Sequence, residues 1–295
     1  MSSIICFGEV LWDKFPNYKK IGGAPLNVAL RLSSFQLPVQ FVSRIGRDTD
    51  GELILKHLKE EGQSTEFIQF SDHLRTGEVM VHLDAGGVAS YTIEEPRAWD
   101  EIECTGSLLE AVGKSKAFVF GSLIARNPVS RNTLFQLLPK AGFKVFDVNL
   151  RPPYYNIDTL TYCMAQADLI KFNEEELEQI VNDLQDKALS LEASMLFVAE
   201  KFNNPIVCTT RGDKGAVLLK DGLFYKNKGY VVKVKDTVGA GDSFLASLLS
   251  QLMAKNKPQQ ALDISCAVGA FVASREGANP KISEADIAEI MQQMA

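Results

Sequence analysis

The sequence predicts an α/β protein whose mostly parallel sheet is wound with helices. Three observations carry this. From about residue 117 short apolar runs alternate with longer helical patterns; each run ends in polar or small residues; and between about 65 and 99 a strand-like alternation interrupts the rhythm. The 295 residues are enough to bury a large core, as one big domain or as one with a smaller appendage.

Taken in order, IICFGEV reads as a strand that runs into Asp13 and a short polar segment. Gly22-Gly23-Ala24-Pro25 then leads into the helical pattern PLNVALRLSSF, with Pro25 suited to a first turn and the glycine pair to a close backbone approach. Asn27 falls on the loop side of that helix, as a ligand contact or as an ordinary first-turn polar residue. TGEVMVHLD, Gly86-Gly87 and VASYTIEE make a hairpin that is either plain sheet edge or a lid able to keep water from a reacting group. The strands AFVFGS, KVFDVN, DLIKFN and PIVCTT follow. They end at Gly121 and Ser122, at Asp147 and Asn149, at Asn173, and at Thr209, Thr210 and Gly212. Open α/β sheets bind ligands beyond the carboxyl ends of their strands, so these groups are expected to line one crevice.

DTVGAGDSF, from Asp236 to Phe244, is expected to join them. After Ser243 the apolar Phe244, Leu245, Leu248, Leu249, Leu252 and Met253 recur one turn apart, which predicts an amphipathic helix. Gly239, Ala240 and Gly241 carry almost no side chain, so their N–H groups can converge on an anion at the helix start. Asp242 at that mouth is suited to accept a proton from a hydroxyl attacking a phosphoryl group. It would equally serve as the helix N-cap.

Composition narrows the class. Hydrophobic residues make up 46% and charged residues 23%, without low-complexity tracts or tandem repeats, which is the balance of a globular chain. A net charge of -6 argues against a general nucleic-acid binder and leaves a nucleotide-sized ligand open. Cys6, Cys104, Cys163, Cys208 and Cys266 are odd in number and far apart, so they read as reduced core residues; neither they nor His57, His73 and His82 show a metal-ligand spacing. With no signal-peptide pattern and no apolar run of membrane-spanning length, a cytoplasmic address is expected.

GEVLWD with Asp13, GGAPLNVA, SRIGRDTDGE from Ser43 to Glu52, the NEEE run, TTRGDKGA and DTVGAGDSF occur in one order along nearly the whole chain. That ordered set resembles the ribokinase-like, or PfkB-type, family of sugar and nucleoside kinases. The resemblance implies a three-layer, doubly wound, mostly parallel sheet in a single domain over 1–295, with a small β lid formed by about 12–21 and 65–99. It implies transfer of the ATP γ-phosphoryl group to a sugar hydroxyl, with Asp242 as base and the amides of Gly239, Ala240 and Gly241 as anion hole. Asp13, Gly22, Gly23 and Asn27 match the family's sugar contacts, and Trp99 is grouped with them.

Arg151 resembles a cationic residue near the sugar and transferred phosphate; as plain sequence it is also a solvated loop arginine. Asn173 and Glu176 match an Asn-x-x-Glu element associated with magnesium-bound water and the ATP phosphates, although a capping pair would look the same. Thr210, Gly212 and Gly215 match the nucleotide-side turn, and Cys266 and Gly277 fall where the family flanks adenine. Asp236 and Val238 correspond to oxygen donors of potassium-activated members. Homodimers formed through the lid are frequent in the family, so a homodimer is expected here.

GEVLWD with GGAPLNVA, the NLRPPYY stretch after Asp147 and EEPRAWDEI with Trp99 are similar to the fructokinase-like branch, which makes D-fructose the expected acceptor. Ribokinase, 2-keto-3-deoxygluconate kinase and nucleoside kinase remain alternatives, since one or two hydroxyl contacts separate them. A sugar-binding sensor without turnover is the alternative from another class. A Rossmann oxidoreductase is disfavoured because GEVLWD stands where G-x-G-x-x-G belongs.

Overall fold

A computed structural model describes residues 3–83, 89–185 and 187–293. They fall into two compact units, Met1–Leu30 with Pro38–Gly142, and Arg31–Leu37 with Phe143–Ala295.

The first unit contains strands β1 (Ile4–Phe7), β2 (Leu11–Lys14) and β3 (Lys19–Gly22), helix α1 (Ala24–Ser34), β4 (Val39–Gly46), α2 (Thr49–Glu60), β5 (Ile68–Ser71), β6 (Gly77–Leu83), β7 (Ala89–Ile93), α3 (Gly106–Lys114), β8 (Ala117–Gly121) and α4 (Pro128–Leu137). The last turn of α1, from Arg31, belongs to the second unit. Strands β8, β1, β4 and β5 lie side by side in that order and all run parallel. IICF and AFVF are apolar at every position because both faces of such strands are covered, and each of those side chains is buried.

A second sheet has the order β3-β2-β6-β7. Its hairpin β6–β7 runs antiparallel from Val79↔Ile93 to Leu83↔Ala89; the Gly86-Gly87 turn expected between them lies outside the described residues. The small sheet therefore takes up 11–14, 19–22, 77–83 and 89–93. The stretch just after 65, expected in the lid, instead forms β5 and extends the large sheet through Ser43↔Ile68.

The second unit contains β9 (Lys144–Asp147), α5 (Ile157–Gln166), β10 (Leu169–Asn173), α6 (Glu174–Leu184), α7 (Leu191–Phe202), β11 (Ile206–Thr210), β12 (Ala216–Lys220), β13 (Leu223–Asn227), α8 (Ala240–Met253), α9 (Pro258–Ala273) and α10 (Glu284–Met291). Strands β9, β10 and β11 are parallel, and β12 and β13 continue the sheet antiparallel. Registers Lys171↔Asp147 and Asn173↔Thr210 bring the polar strand ends together, as the sequence leads one to expect. Helices α8 and α9 pack on each other, and Leu245, Leu248 and Leu249 of the first and Leu262 and Val268 of the second are buried. Among the described residues no helix is long and apolar enough to cross a membrane, and the five cysteines are free.

In the SRIGRDTDGE stretch, Asp48 is the N-cap of α2. Its Oδ1 accepts from Gly51 N at 2.8 Å and from the Thr76 hydroxyl at 2.6 Å, and its Oδ2 from Thr76 N at 2.9 Å. One carboxylate thus fixes a helix start to the segment entering β6. Burial pulls the Asp48 carboxyl up; the Thr76 hydroxyl and amide and the Gly51 amide outweigh it and leave its pKa below the ordinary aspartate value. Asp48→Ala is expected to lower the unfolding free energy by roughly 2 kcal/mol in urea titrations at neutral pH. Because the folded pKa is depressed, the contribution is present above the ordinary aspartate pKa and lost as pH falls through the depressed one, so wild type and variant should converge in acid.

Candidate active site

In the first unit a helix entry and a strand crowd into one corner. Asp13 lies in β2 opposite Lys20 of β3, and a side chain at Gly22 would overlap its carboxylate oxygen. Gly23 has φ 119°, and a Cβ there would stand 2.5 Å from the Glu9 carbonyl oxygen. The glycine pair is thus required on both counts: Gly22 leaves room for a carboxylate, and Gly23 turns the chain at a φ that side chains avoid. Asn27 follows on the first turn of α1, its N–H donating to the Gly23 carbonyl at 2.9 Å, its side chain buried. Short polar groups with several lone pairs, held this closely on rigid backbone, are suited to hydroxyl-rich ligands.

Trp99, expected in this group, stands in the core. Its indole is 0% exposed, lies against Gly77 and carries the Arg126 guanidinium 4.0 Å over its ring. Arg126 is held there by Asp100, which accepts from Nε and from Nη2 at 2.7 Å each. Trp99 is therefore packed in the core beside the small sheet.

In the second unit the loop before α8 begins at Asp236. Its Oδ1 accepts from Val238 N at 3.0 Å and its Oδ2 from Gly277 N at 3.1 Å. Gly239, at φ 74°, is the cap of α8, and a Cβ on it would stand 2.5 Å from that of Ala278. The helix therefore starts at Ala240, and Asp242 sits in its first turn as the third helical residue. This corrects the expectation that Asp242 could be the N-cap: a left-handed glycine takes that place, and the Asp242 carboxylate is half-buried at the positive end of the helix. The Ala240 amide donates to the Thr237 carbonyl at 3.2 Å, whereas that of Gly241 has no earlier helical turn to donate into. Buried Arg31, from the last turn of α1, braces this start by donating from Nε to Ser243 Oγ at 3.0 Å and from Nη2 to the Pro280 carbonyl at 3.0 Å.

Beside the first turn of α8 lies a buried charge cluster. Lys171 Nζ donates to Asp147 Oδ1 at 2.9 Å, with side-chain exposures of 8% and 5%. A Cβ placed on Gly241 would stand 3.3 Å from that same Nζ. Burial alone would push the Lys171 ammonium down, but Asp147 and Glu176, and then Asp242, outweigh it and hold its pKa above the ordinary lysine range. Glu176 is pushed up by burial, with Lys171 opposing. Its Oε2 accepts from Asn173 N at 2.8 Å and its Oε1 from Leu150 N at 2.9 Å, while Asn173 Oδ1 accepts from Glu176 N at 2.7 Å.

The capping pair is thus present, and it does one thing more than cap: Glu176 also fixes the turn that carries Arg151. Arg151 itself is exposed, with Nη1 donating to the Leu150 carbonyl at 2.9 Å. Each Glu176 oxygen retains a lone pair after accepting its amide, so the carboxylate fits a role in holding ion-bound water.

Thr210, at the end of β11, donates to the Phe172 carbonyl at 3.3 Å. The turn after it closes through Gly215 N to the Gly212 carbonyl at 3.2 Å. Gly215, at φ 78°, is pressed against Asn227 and Gly229, whereas the surfaces above Gly212 and Gly277 are open. Cys266 is buried in α9, and burial, then Cys208 and Asp263, push its thiol up, so it stays neutral.

Among the unit-two residues expected at a site, Gly277 bonds Asp236, Glu176 ties Asn173 to the Arg151 turn, and Asn173 pairs with Thr210 across the strands, while Gly239 touches Ala278 and Gly241 abuts Lys171. Lys171 and Arg31 were not anticipated. The available signal for both was a cation inside an apolar pattern, in DLIKFN and in PLNVALRLSSF.

The sequence profile described as pfkB family carbohydrate kinase matches residues 5–285. A Pyrococcus horikoshii protein provisionally named a sugar kinase is 32% identical over 249 residues, covering 81% of this chain and 74% of that one. The fructokinase of Vibrio alginolyticus is 29% identical over 298 residues, covering 94% of this chain and 95% of its own. Among solved structures, a fructokinase double mutant from Vibrio cholerae O395 in a form with bound fructose, ADP and potassium ion matches with a TM-score of 0.85 at 25% identity, over 99% of this chain and 98% of that one.

Asn173 allows capping and nucleotide contact to be separated. Ser caps as well as Asn but lacks the amide, so Asn173→Ser should leave the melting temperature within about 2 °C of wild type. If the amide also meets the nucleotide, KM for ATP should rise about tenfold in steady-state assays; an unchanged KM would confine Asn173 to the cap.

Proposed function

We infer the reaction from the family, since the chain belongs to the pfkB family of carbohydrate kinases, and propose that it transfers the γ-phosphoryl group of ATP to a hydroxyl of free D-fructose. Relatives named fructokinase that span nearly the whole chain, with an ADP- and fructose-bound fructokinase among the matched structures, support the substrate. The single observation that carries the mechanism is the start of α8, where Asp242 occupies the first turn beside the Gly241 amide, which has no earlier helical turn to bond.

In this reading Asp13, Gly22, Gly23 and Asn27 contact sugar hydroxyls. Asp242 accepts the proton of the attacking hydroxyl, and the amides of Gly239, Ala240 and Gly241 hold the transferring group, whose negative charge is spread over its oxygens. Arg151 adds a cation on an exposed turn. Asn173, Glu176, Thr210, Gly212 and Gly215 serve the nucleotide, and Gly277, beside Cys266's helix, borders its base. Magnesium on the ATP phosphates would neutralise developing charge, and Glu176 would meet it through water. Asp236 and the Val238 backbone would serve a monovalent cation. A cytoplasmic setting, where ATP and reduced thiols coexist, goes with this reading. Tyr18 and Met80, 54% and 36% exposed by the small sheet, support a homodimer through that sheet.

ADP release measured over a panel of sugars and nucleosides, with mass detection of the product, is expected to be fastest with fructose. Faster turnover of ribose or 2-keto-3-deoxygluconate would move the substrate and keep the kinase. Asp242→Asn removes the proton acceptor and one helix-start charge, so it should cost below about 1 kcal/mol in stability. Phosphoryl transfer should fall roughly 10²–10⁴-fold with ATP still bound, and near-full turnover would remove Asp242 as base.

A further inference from the structure

We propose that Lys171 is a positioning residue of the phosphoryl-transfer site: held by Asp147, it sets a fixed positive charge behind the Gly239–Gly241 loop and acts through that loop on the group being transferred. The proposal rests on the reading of that loop as the anion hole.

A lysine among the buried apolar residues of a parallel strand is costly to desolvate. Its neighbours Leu169, Ile170 and Phe172 are each buried, and Lys171 itself is only 6% exposed. Buried ion pairs are often replaceable by apolar residues with no loss of stability, so stability alone does not explain one here. Nor is the pair closed on itself. Of the three N–H donors of the ammonium one meets Asp147 Oδ1, at 2.9 Å, and Asp147 Oδ2 is buried with no hydrogen-bond partner among the described residues.

The geometry says where the charge is directed. Gly241 lies within helix α8, outside the left-handed region, so its backbone does not call for glycine. Space favours it: an added Cβ would stand 3.3 Å from Lys171 Nζ and 4.0 Å from its Cε, so the ammonium would have to give by a few tenths of an ångström. The missing side chain lets an ammonium come within van der Waals reach of the first turn whose amides face the anion. The surrounding charge gives the reason. Asp147, Glu176 and Asp242 all act electrostatically on Lys171. Without the ammonium, Asp147, Glu176 and Asp242 would have no cation set among them beside a loop meant to hold phosphate, since Arg31 is engaged by Ser243 and the Pro280 carbonyl. With it, the loop has a preorganised cation that need not move as charge spreads over the transferring oxygens.

The test uses the full chain with Lys171→Met, Asp147→Asn and the double variant Lys171→Met/Asp147→Asn, read by thermal melting and by kcat and KM for sugar and ATP. The single Lys171→Met leaves a buried carboxylate unpaired and is expected to lower the melting temperature; the double variant, neutral at both positions, is expected to recover it. If the charge serves the reaction, the double variant should still lose kcat roughly 10- to 100-fold with sugar KM within about threefold of wild type. Asp147→Asn, which keeps both the ammonium and an acceptor for it, should retain kcat within about fivefold.

Recovery of kcat to within about threefold in the double variant would reduce the pair to a structural ion pair and overturn the proposal. An equal kcat loss in Asp147→Asn and Lys171→Met would overturn it too. Failure of the underlying reading shows separately, as turnover retained in Asp242→Asn whatever the Lys171 variants do.

Discussion

The ammonium of Lys171 must stay paired inside the sheet, and the chemistry of the second unit is organised by that constraint. Taking a charge out of water costs several kcal/mol unless partners replace the lost solvation. Asp147 on the neighbouring strand supplies the direct partner at 2.9 Å. Glu176 supplies a second negative charge, and its own burial is met by the amides of Asn173 and Leu150. One buried cation thus brings with it the register of β9 against β10, the capped start of α6 and the path of the turn after β9. On its other side it lies against Gly241, where an added Cβ would stand 3.3 Å from its nitrogen and crowd it.

The first unit solves a different problem. A side chain at Gly22 would fill the place of the Asp13 carboxylate and one at Gly23 would run into the Glu9 backbone, so the entry to α1 is left without side chains at both positions. Around that entry the packing is apolar and tied by single knots: Asp48 fixes the start of α2 to the entry of β6, and Arg126 caps the Trp99 ring while paired with Asp100. These knots belong to motifs that on sequence look functional, and their bonds show them to be structural.

The strands were legible because both kinds carry their own period: IICF, AFVF and IVC are apolar throughout in buried parallel strands, and the hairpin alternates. The order of motifs located the Gly239–Gly241 loop and the glycine pair. Legibility failed where tertiary contact overrides a local rule. Asp242 resembles a cap because Asp is a good one, but the left-handed Gly239, stacked on Ala278, starts the helix earlier. Lys171 drew no role because nothing local tells that its charge is met by a residue 24 positions away. Trp99 resembled a ligand contact because its burial depends on Gly77 and Arg126, which are distant in sequence. The stretch beginning β5 resembled part of the hairpin because pairing with β4 leaves no local mark.

The most direct measurement is the amide spectrum of protein labelled with ¹⁵N-glycine, recorded with and without magnesium and a non-hydrolysable ATP analogue. If the first turn of α8 holds the transferring phosphoryl group, the Gly239 and Gly241 resonances should shift on addition, while Gly62 and Gly106, on open surface of the first unit, stay in place. Gly239 and Gly241 resonances that remain still at saturating nucleotide, while other glycines of the second unit move, would contradict the account.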